Sequence, residues 1–129
     1  MKIYVADAVA FLYYLLDELP PSADEVFRLA EECRAMLYLP TIAAAELLYL
    51  FDRKGWQNKW RELMTCVEEL PCFSFYPLDE EILKVLEDVK MRELHDRIIV
   101  ATTQVLNAEA LVTKDEEIRR SGIVATIWR

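Results

Sequence analysis

The chain has 129 residues, of which 54% are hydrophobic, and this predicts one compact domain over residues 1–129 whose core needs no disulfide or metal. No apolar run reaches the roughly 18 residues of a membrane span and no signal peptide begins the sequence, so we expect a cytoplasmic protein. The net charge of -8 excludes a passive, sequence-independent nucleic-acid binder, because such a protein would show a basic surface.

The first predicted elements are a strand and a helix. Residues 2–6 (KIYVA) form a short, apolar, β-rich run that stops at Asp7. The apolar segment that follows, residues 10–21, predicts a helix that ends at Pro20 and Pro21, because proline cannot continue a helix. A strand therefore leads directly into a helix.

The second helix is predicted to begin with a capping box. Ser22 stands at the N-cap and Glu25 follows three residues later, ahead of apolar residues at helical spacing. Residues 38–40 fit a short strand, after which Thr41 caps a third helix and Gly55 suits its left-handed C-terminal position.

Helices and strands continue to alternate in the rest of the chain. The predicted helices are residues 56–70, a segment capped by Asp79, residues 95–106 and residues 116–120. The predicted strands are residues 73–78, 110–114 and 124–128. This alternation predicts an α/β fold of three layers, in which a mainly parallel central sheet of four to five strands carries helices on both faces.

Two of the predicted strands end at an aspartate, Asp7 after IYVA and Asp115 after LVTK. Ligands of parallel sheets collect beyond the carboxyl ends of the strands, so both acids would point into one crevice if these strands were neighbours. Each acid has a second interpretation, since an Asp before a helix is a favoured N-cap. Thr113, two residues before Asp115, is suited to orienting a metal-bound water, or else is a satisfied core threonine.

Two further acids stand in apolar helices. Glu46 is the only carboxylate in residues 41–50 and has no Lys or Arg three or four positions away, so we expect an unpaired, buried acid. The alternative is a glutamate that bonds a tyrosine or reaches the surface. Asp96 opens another apolar helix, where the alternative is an N-cap flanked by ordinary surface residues, His95 and Arg97.

Four carboxylates at one place would repel one another strongly unless a multivalent cation lay between them. Hard oxygen ligands without accompanying His or Cys favour Mg²⁺ or Mn²⁺ over zinc. We therefore predict a Mg²⁺ or Mn²⁺ site formed by Asp7, Glu46, Asp96 and Asp115.

Cysteines and basic residues carry weaker signals. The chain contains three cysteines: Cys33, Cys66 and Cys72. Because their number is odd and no CxxC spacing occurs, we expect buried thiols rather than a disulfide framework or a zinc site. Nine basic residues could form a rim for a polyanion, with ordinary solvated charge as the alternative. Arg97, Lys114 and Arg119 stand beside the proposed acids in sequence, and the others are Lys54, Lys59, Arg61, Lys90, Arg92 and Arg120.

Taken in order, these motifs resemble the PIN-domain family of ribonucleases, in particular the small VapC-type toxins of prokaryotic toxin–antitoxin pairs. The resemblance covers essentially the whole chain. It is carried by the strand ending in Asp7, the helix start PTIAAAEL with Glu46, the segment HDRIIVAT with Asp96, and the strand end LVTKD with Thr113 and Asp115.

The resemblance implies an endoribonuclease that hydrolyses RNA phosphodiester bonds with Mg²⁺ or Mn²⁺. The four acids would hold the metal, and a metal-activated water would attack the phosphorus in line. The implied catalytic residues are Asp7, Glu46, Asp96, Asp115 and Thr113. The resemblance further implies a homodimer and a small antitoxin protein that lies against the helical hairpin of residues 41–70. Candidate groove residues there are Leu50, Phe51, Trp56 and Trp60.

Three positions depart from the family pattern. Many members follow the first Asp with Thr or Ser and then another small polar residue, where this chain has Ala8 and Val9, and an Ala is common where this chain has Arg97. The alternative is therefore a catalytically weak or inactive PIN-like binding module that acts through a protein partner. An aspartyl-phosphate phosphatase would need a second Asp at the position of Val9.

Overall fold

Strands and helices alternate along the chain in the computed structural model, which describes residues 1–129. The elements are β1 Lys2–Ala6, α1 Ala8–Leu15, α2 Pro21–Glu31, β2 Ala35–Pro40, α3 Thr41–Lys54, α4 Gln57–Glu69, β3 Phe73–Tyr76, α5 Glu80–Leu86, α6 Leu94–Val105, β4 Ala110–Val112, α7 Glu116–Ser121 and β5 Thr126–Ile127. None of these helices combines the length and the apolar character that crossing a membrane requires.

The five strands form one parallel sheet in the order β3-β2-β1-β4-β5. The seven helices flank this sheet, so the prediction of a three-layer α/β/α fold with a parallel sheet is confirmed. The middle strand, β1, ends in three buried residues because its apolar side chains are covered on both faces. The predicted strands ending near Asp7 and Asp115 are therefore neighbours, β1 and β4.

The register of β1 and β4 brings their carboxyl ends level. Ala6 pairs with Val112, and the backbone N–H of Asp7 donates to the carbonyl of Val112 at 3.2 Å. Thr113, the next residue after β4, is fully buried at the same edge. The residues that follow β1 and β4 therefore begin at the same edge of the sheet.

The start of α2 differs from the predicted capping box. Pro21 is the first residue of α2, Pro20 is its N-cap, and no side chain caps this end. A proline suits the first helical position, because its N–H is not needed there and its φ is already helical. The helix therefore begins before Ser22, and the preceding helix α1 stops well before the prolines, with Asp17 in a left-handed conformation at φ 56°.

The helices α3 and α4 form the predicted helical hairpin. Gly55 ends α3 at φ 71°, and the backbone N–H of Trp56 donates to the carbonyl of Phe51 at 2.9 Å. Of the candidate groove residues, Phe51 is fully buried in the core, whereas Leu50, Trp56 and Trp60 are partly buried against it. Only the last three present any surface to a partner.

Two of the cysteines form a disulfide, which contradicts the prediction of three thiols. Cys33 and Cys72 are bonded with their Cα atoms 5.3 Å apart, and Cys66 is free. They lie in the turns that precede β2 and β3, and the backbone N–H of Leu37 donates to the carbonyl of Cys72 at 2.9 Å. The pairing depends on the register of two strands, and the spacing of cysteines along the sequence does not reveal that register.

Candidate active site

Asp7 lies at the carboxyl end of the middle strand and uses both carboxylate oxygens. Its Oδ1 accepts from the backbone N–H of Ala10 at 2.9 Å and so caps α1. Its Oδ2 accepts from the hydroxyl of Thr113. The capping interpretation and the site interpretation therefore hold together for this residue, and the two bonds fix the orientation of the carboxylate.

Thr113 connects Asp7 to the turn that carries Asp115. Its hydroxyl oxygen also accepts from the backbone N–H of Asp115 at 3.0 Å. Asp115 in turn caps α7, where its Oδ1 accepts from the backbone N–H of Ile118 at 2.9 Å. One fully buried hydroxyl thus sets the positions of both strand-end acids relative to each other.

Asp96 is not the N-cap of its helix. Glu93 caps α6 instead, with its carboxylate oxygens accepting from the backbone N–H groups of His95 at 3.1 Å and Asp96 at 3.0 Å. The carboxylate of Asp96 makes no hydrogen bond or ion pair within the protein, so the structural alternative offered by the sequence is wrong for this acid.

Glu46 has a partner and is only half-buried, in contrast to the unpaired buried acid that was expected. Its side chain is 38% exposed, and its Oε2 lies 3.5 Å from Nδ1 of His95. The helix α3 has an exposed face, on which Tyr49 is 67% exposed. Burial raises the pKa of Glu46, and the charge of His95 opposes that rise. Sequence reasoning missed His95 because the contact joins two helices, α3 and α6, whose packing no local pattern shows.

The four predicted acids meet around one pocket. The lining residues are Asp7, Ala8, Val9, Glu46, Asp96, Ile99, Lys114 and Asp115. The acids come from the end of β1, the middle of α3, the first turn of α6 and the turn after β4. Ala8 and Val9 contribute no hydroxyl to this pocket.

The acids of the pocket influence one another's ionisation. Burial raises the pKa of the Asp7 carboxyl to about 6, although the hydrogen bonds from Thr113 and Ala10 lower it. Burial likewise raises the pKa of Asp96 to about 6, and the negative charge of Asp115 is the next cause. A cation in the pocket would relieve this repulsion and favour the ionised forms.

The donor set fits a hard divalent cation, since all four groups are carboxylates. As the side chains stand, no three His, Cys, Asp or Glu residues are close enough together to hold one ion. Asp7 and Asp115 each give one oxygen to a helix cap, and Glu46 is turned toward His95. The donor types therefore suit a hard divalent cation, but the side chains as they stand do not form a coordination site.

Comparison with known proteins agrees with this fold. Residues 4–123 match the family model of the PIN domain. The structure is similar to VapBC2 from Rickettsia felis bound to a DNA fragment from its promoter, with a TM-score of 0.78, 17% identity, and coverage of 99% of this chain and 100% of that one.

Two further solved structures share the fold. FitAcB from Neisseria gonorrhoeae gives a TM-score of 0.71 at 20% identity, covering 96% of each chain. A toxin–antitoxin complex from Klebsiella pneumoniae gives 0.66 at 16% identity, covering 98% of this chain and 96% of that one. No curated protein matches the sequence.

Proposed function

Because this chain belongs to the PIN-domain family, whose members are generally nucleases, we propose that it is a Mg²⁺- or Mn²⁺-dependent endoribonuclease that hydrolyses RNA phosphodiester bonds. The observation that carries this proposal is the meeting of Asp7, Glu46, Asp96 and Asp115 around one pocket. Asp96 adds particular weight, because its carboxylate has no structural partner.

The four acids would hold one or two metal ions. When bound, such ions lower the pKa of a water molecule and neutralise charge on phosphate oxygens. Thr113 holds Asp7 in place through its hydroxyl, and the N-terminal N–H groups of α1 and α7 orient Asp7 and Asp115. His95 lies 3.5 Å from the carboxylate of Glu46 and would compete with a metal for it.

The same family membership and the similar solved structures support a place in a toxin–antitoxin pair. Similar folds occur in VapBC2 and in a complex described as toxin–antitoxin. We infer that this chain is the toxin of a VapBC-type pair, that it forms a homodimer, and that a small antitoxin protein binds the hairpin of α3 and α4.

A second candidate function is a PIN-like binding module with little or no turnover, acting through a protein partner. Two observations favour it: Ala8 and Val9 line the pocket without a hydroxyl, and no three ligands converge on one point. Both proposals predict divalent-ion binding, and only the first predicts cleavage.

Cleavage of a mixed RNA pool in Mg²⁺ or Mn²⁺, and in EDTA, tests the enzyme. We expect the wild type to cut only with metal. We expect Asp96→Asn to lose about 100-fold or more in rate, because the loss of an outer-shell partner of a metal already costs about 10–100-fold. Asp52→Asn, an exposed acid on the same protein, is the matched control and should retain full activity. Equal cleavage by wild type and Asp96→Asn would indicate a contaminating nuclease. Metal binding without cleavage would favour the binding module.

A further inference from the structure

One cation lines the acidic pocket. Lys114, exposed between Thr113 and Asp115, is a lining residue. The other two cations next to the acids in sequence face elsewhere. Arg97 donates through Nε to the carbonyl of Val89 at 2.8 Å, and Arg119 lies 3.7 Å from Glu116. Of these three residues, only Lys114 lines the pocket itself.

Lys114 forms no close ion pair with a carboxylate. None of the ion pairs in the structure includes this lysine. Its Nζ instead donates to the hydroxyl oxygen of Tyr13 at 2.8 Å and lies 5.0 Å from the centroid of the Tyr13 ring. A neutral partner orients the ammonium group and leaves its full charge free to attract an anion.

Tyr13 is itself held in place. It projects from α1, the helix that Asp7 caps, and its ring packs edge-on against Trp128 with centroids 5.3 Å apart. Trp128 is 4% exposed and belongs to the core. The buried Trp128 thus positions the ring of Tyr13, and Tyr13 positions the ammonium group of Lys114.

A lysine held in this way suits a phosphate group. An ammonium is a compact point charge that binds phosphate oxygens, and an acidic pocket that takes a polyanion needs a positive contact beside it. We propose that Lys114, positioned by Tyr13, binds a phosphate of the RNA backbone next to the one that is hydrolysed. This inference rests on the proposed endoribonuclease function.

Binding of a single-stranded RNA oligonucleotide tests the contact directly. Measured in Mg²⁺ and in an Asp96→Asn background to prevent cleavage, Lys114→Ala should weaken binding about tenfold, the loss expected for one hydrogen bond to a charged group. It should also reduce the slope of log K against log salt by about 0.7, the value for one phosphate contact on a single strand. Lys114→Arg should restore the wild-type salt slope. Tyr13→Phe should weaken binding without changing that slope.

Lys54→Ala is the matched control, because Lys54 also lies over an aromatic ring, 5.3 Å from the centroid of Trp56, and lines no part of the pocket. In the cleaving protein, Lys114→Ala should raise KM and leave kcat nearly unchanged.

A wild-type salt slope in Lys114→Ala overturns the phosphate contact and leaves the nuclease proposal standing. A shifted pH profile with an unchanged slope also overturns it, since it would make Lys114 only a counter-ion of the acids. Absence of any metal-dependent RNA cleavage by the wild type overturns the nuclease proposal and, with it, the phosphate contact of Lys114.

Discussion

The hydroxyl of Thr113 donates to the carboxylate of Asp7, a residue 106 positions away in the sequence. The bond joins the carboxyl ends of β4 and β1, the two central strands whose register brings these residues level. Because the same hydroxyl oxygen accepts from the backbone N–H of Asp115, one buried side chain links both strand-end acids.

Removing that hydroxyl should destabilise the protein. Thr113→Val keeps the side-chain shape but leaves an Asp7 oxygen and the N–H of Asp115 without their partner, so we expect a loss of about 1–3 kcal/mol in the free energy of unfolding. Urea denaturation measures this. Thr103→Val is the control, since the hydroxyl of this buried threonine donates only to the carbonyl of Ile99 within its own helix and should cost less. Equal losses in the two variants would contradict a special role for the Thr113 bond.

The stability of the metal-free protein should fall as the pH rises from about 4 to about 6. The pKa of Asp7 is raised from 3.8 to about 6, so in this range the folded state binds more protons than the unfolded state. The free energy of unfolding therefore decreases with pH through this window and levels off above it, by up to about 3 kcal/mol from this one group. Thermal unfolding in EDTA across this range measures the change.

Asp7→Asn should make that dependence shallower, leaving the contribution of Asp96, whose pKa is also raised to about 6. The variant should still cap α1, because Asn is as good an N-cap as Asp. Asp79→Asn provides the comparison, since Asp79 caps α5 through the same kind of bond outside the pocket. A pH dependence in Asp7→Asn as steep as that of the wild type would contradict the prediction.

Divalent ions should stabilise the folded protein. If the four acids share a cation, Mg²⁺ or Mn²⁺ at 100 times its Kd adds about 2.7 kcal/mol to the free energy of unfolding, and Glu46→Gln should reduce this gain. In EDTA the same variant should be neutral or slightly stabilising, because it relieves repulsion and gives up only an exposed contact with His95. Differential scanning calorimetry with and without metal measures both effects. Glu68→Gln, an exposed glutamate on α4, should behave as the wild type. A large loss in the free energy of unfolding of Glu46→Gln in EDTA would assign Glu46 a structural role instead.

Reduction of the disulfide should lower the melting temperature. The bond between Cys33 and Cys72 closes a loop of 39 residues, and its loss should cost about 2–4 kcal/mol. We expect dithiothreitol to lower the melting temperature of the wild type and of Cys66→Ala, and to leave Cys33→Ala unchanged. If dithiothreitol left the melting temperature of the wild type unchanged, the bond would not constrain the fold.

Local signals explain why the sequence predicts the sheet and the caps at Asp7, Asp79 and Asp115. Each depends on a few adjacent residues: an apolar run, an acid, and a helix after it. Two strands that end in acids predict one crevice only if they are neighbours, and the structure supplies that adjacency for β1 and β4. The parallel sheet and the α3–α4 hairpin were predictable on the same basis.

The features that sequence reasoning missed depend on how distant elements pack. The contact between Glu46 and His95 requires the relative placement of α3 and α6, and the Cys33–Cys72 bond requires the register of β2 and β3. At α6 the sequence suggests Asp96 as the N-cap, whereas the structure places Glu93 there.

The caps divide the four acids into two kinds. Asp7 and Asp115 each anchor the beginning of a helix, whereas Asp96 and Glu46 anchor none. A substitution that removes the carboxylate of Asp7 or Asp115 also removes the N-cap of a helix, unless the new side chain can still accept a hydrogen bond. Evolution could therefore silence this pocket at Asp96 or Glu46 and keep an intact protein available for other partners, so natural inactive variants should carry their first changes at these two positions.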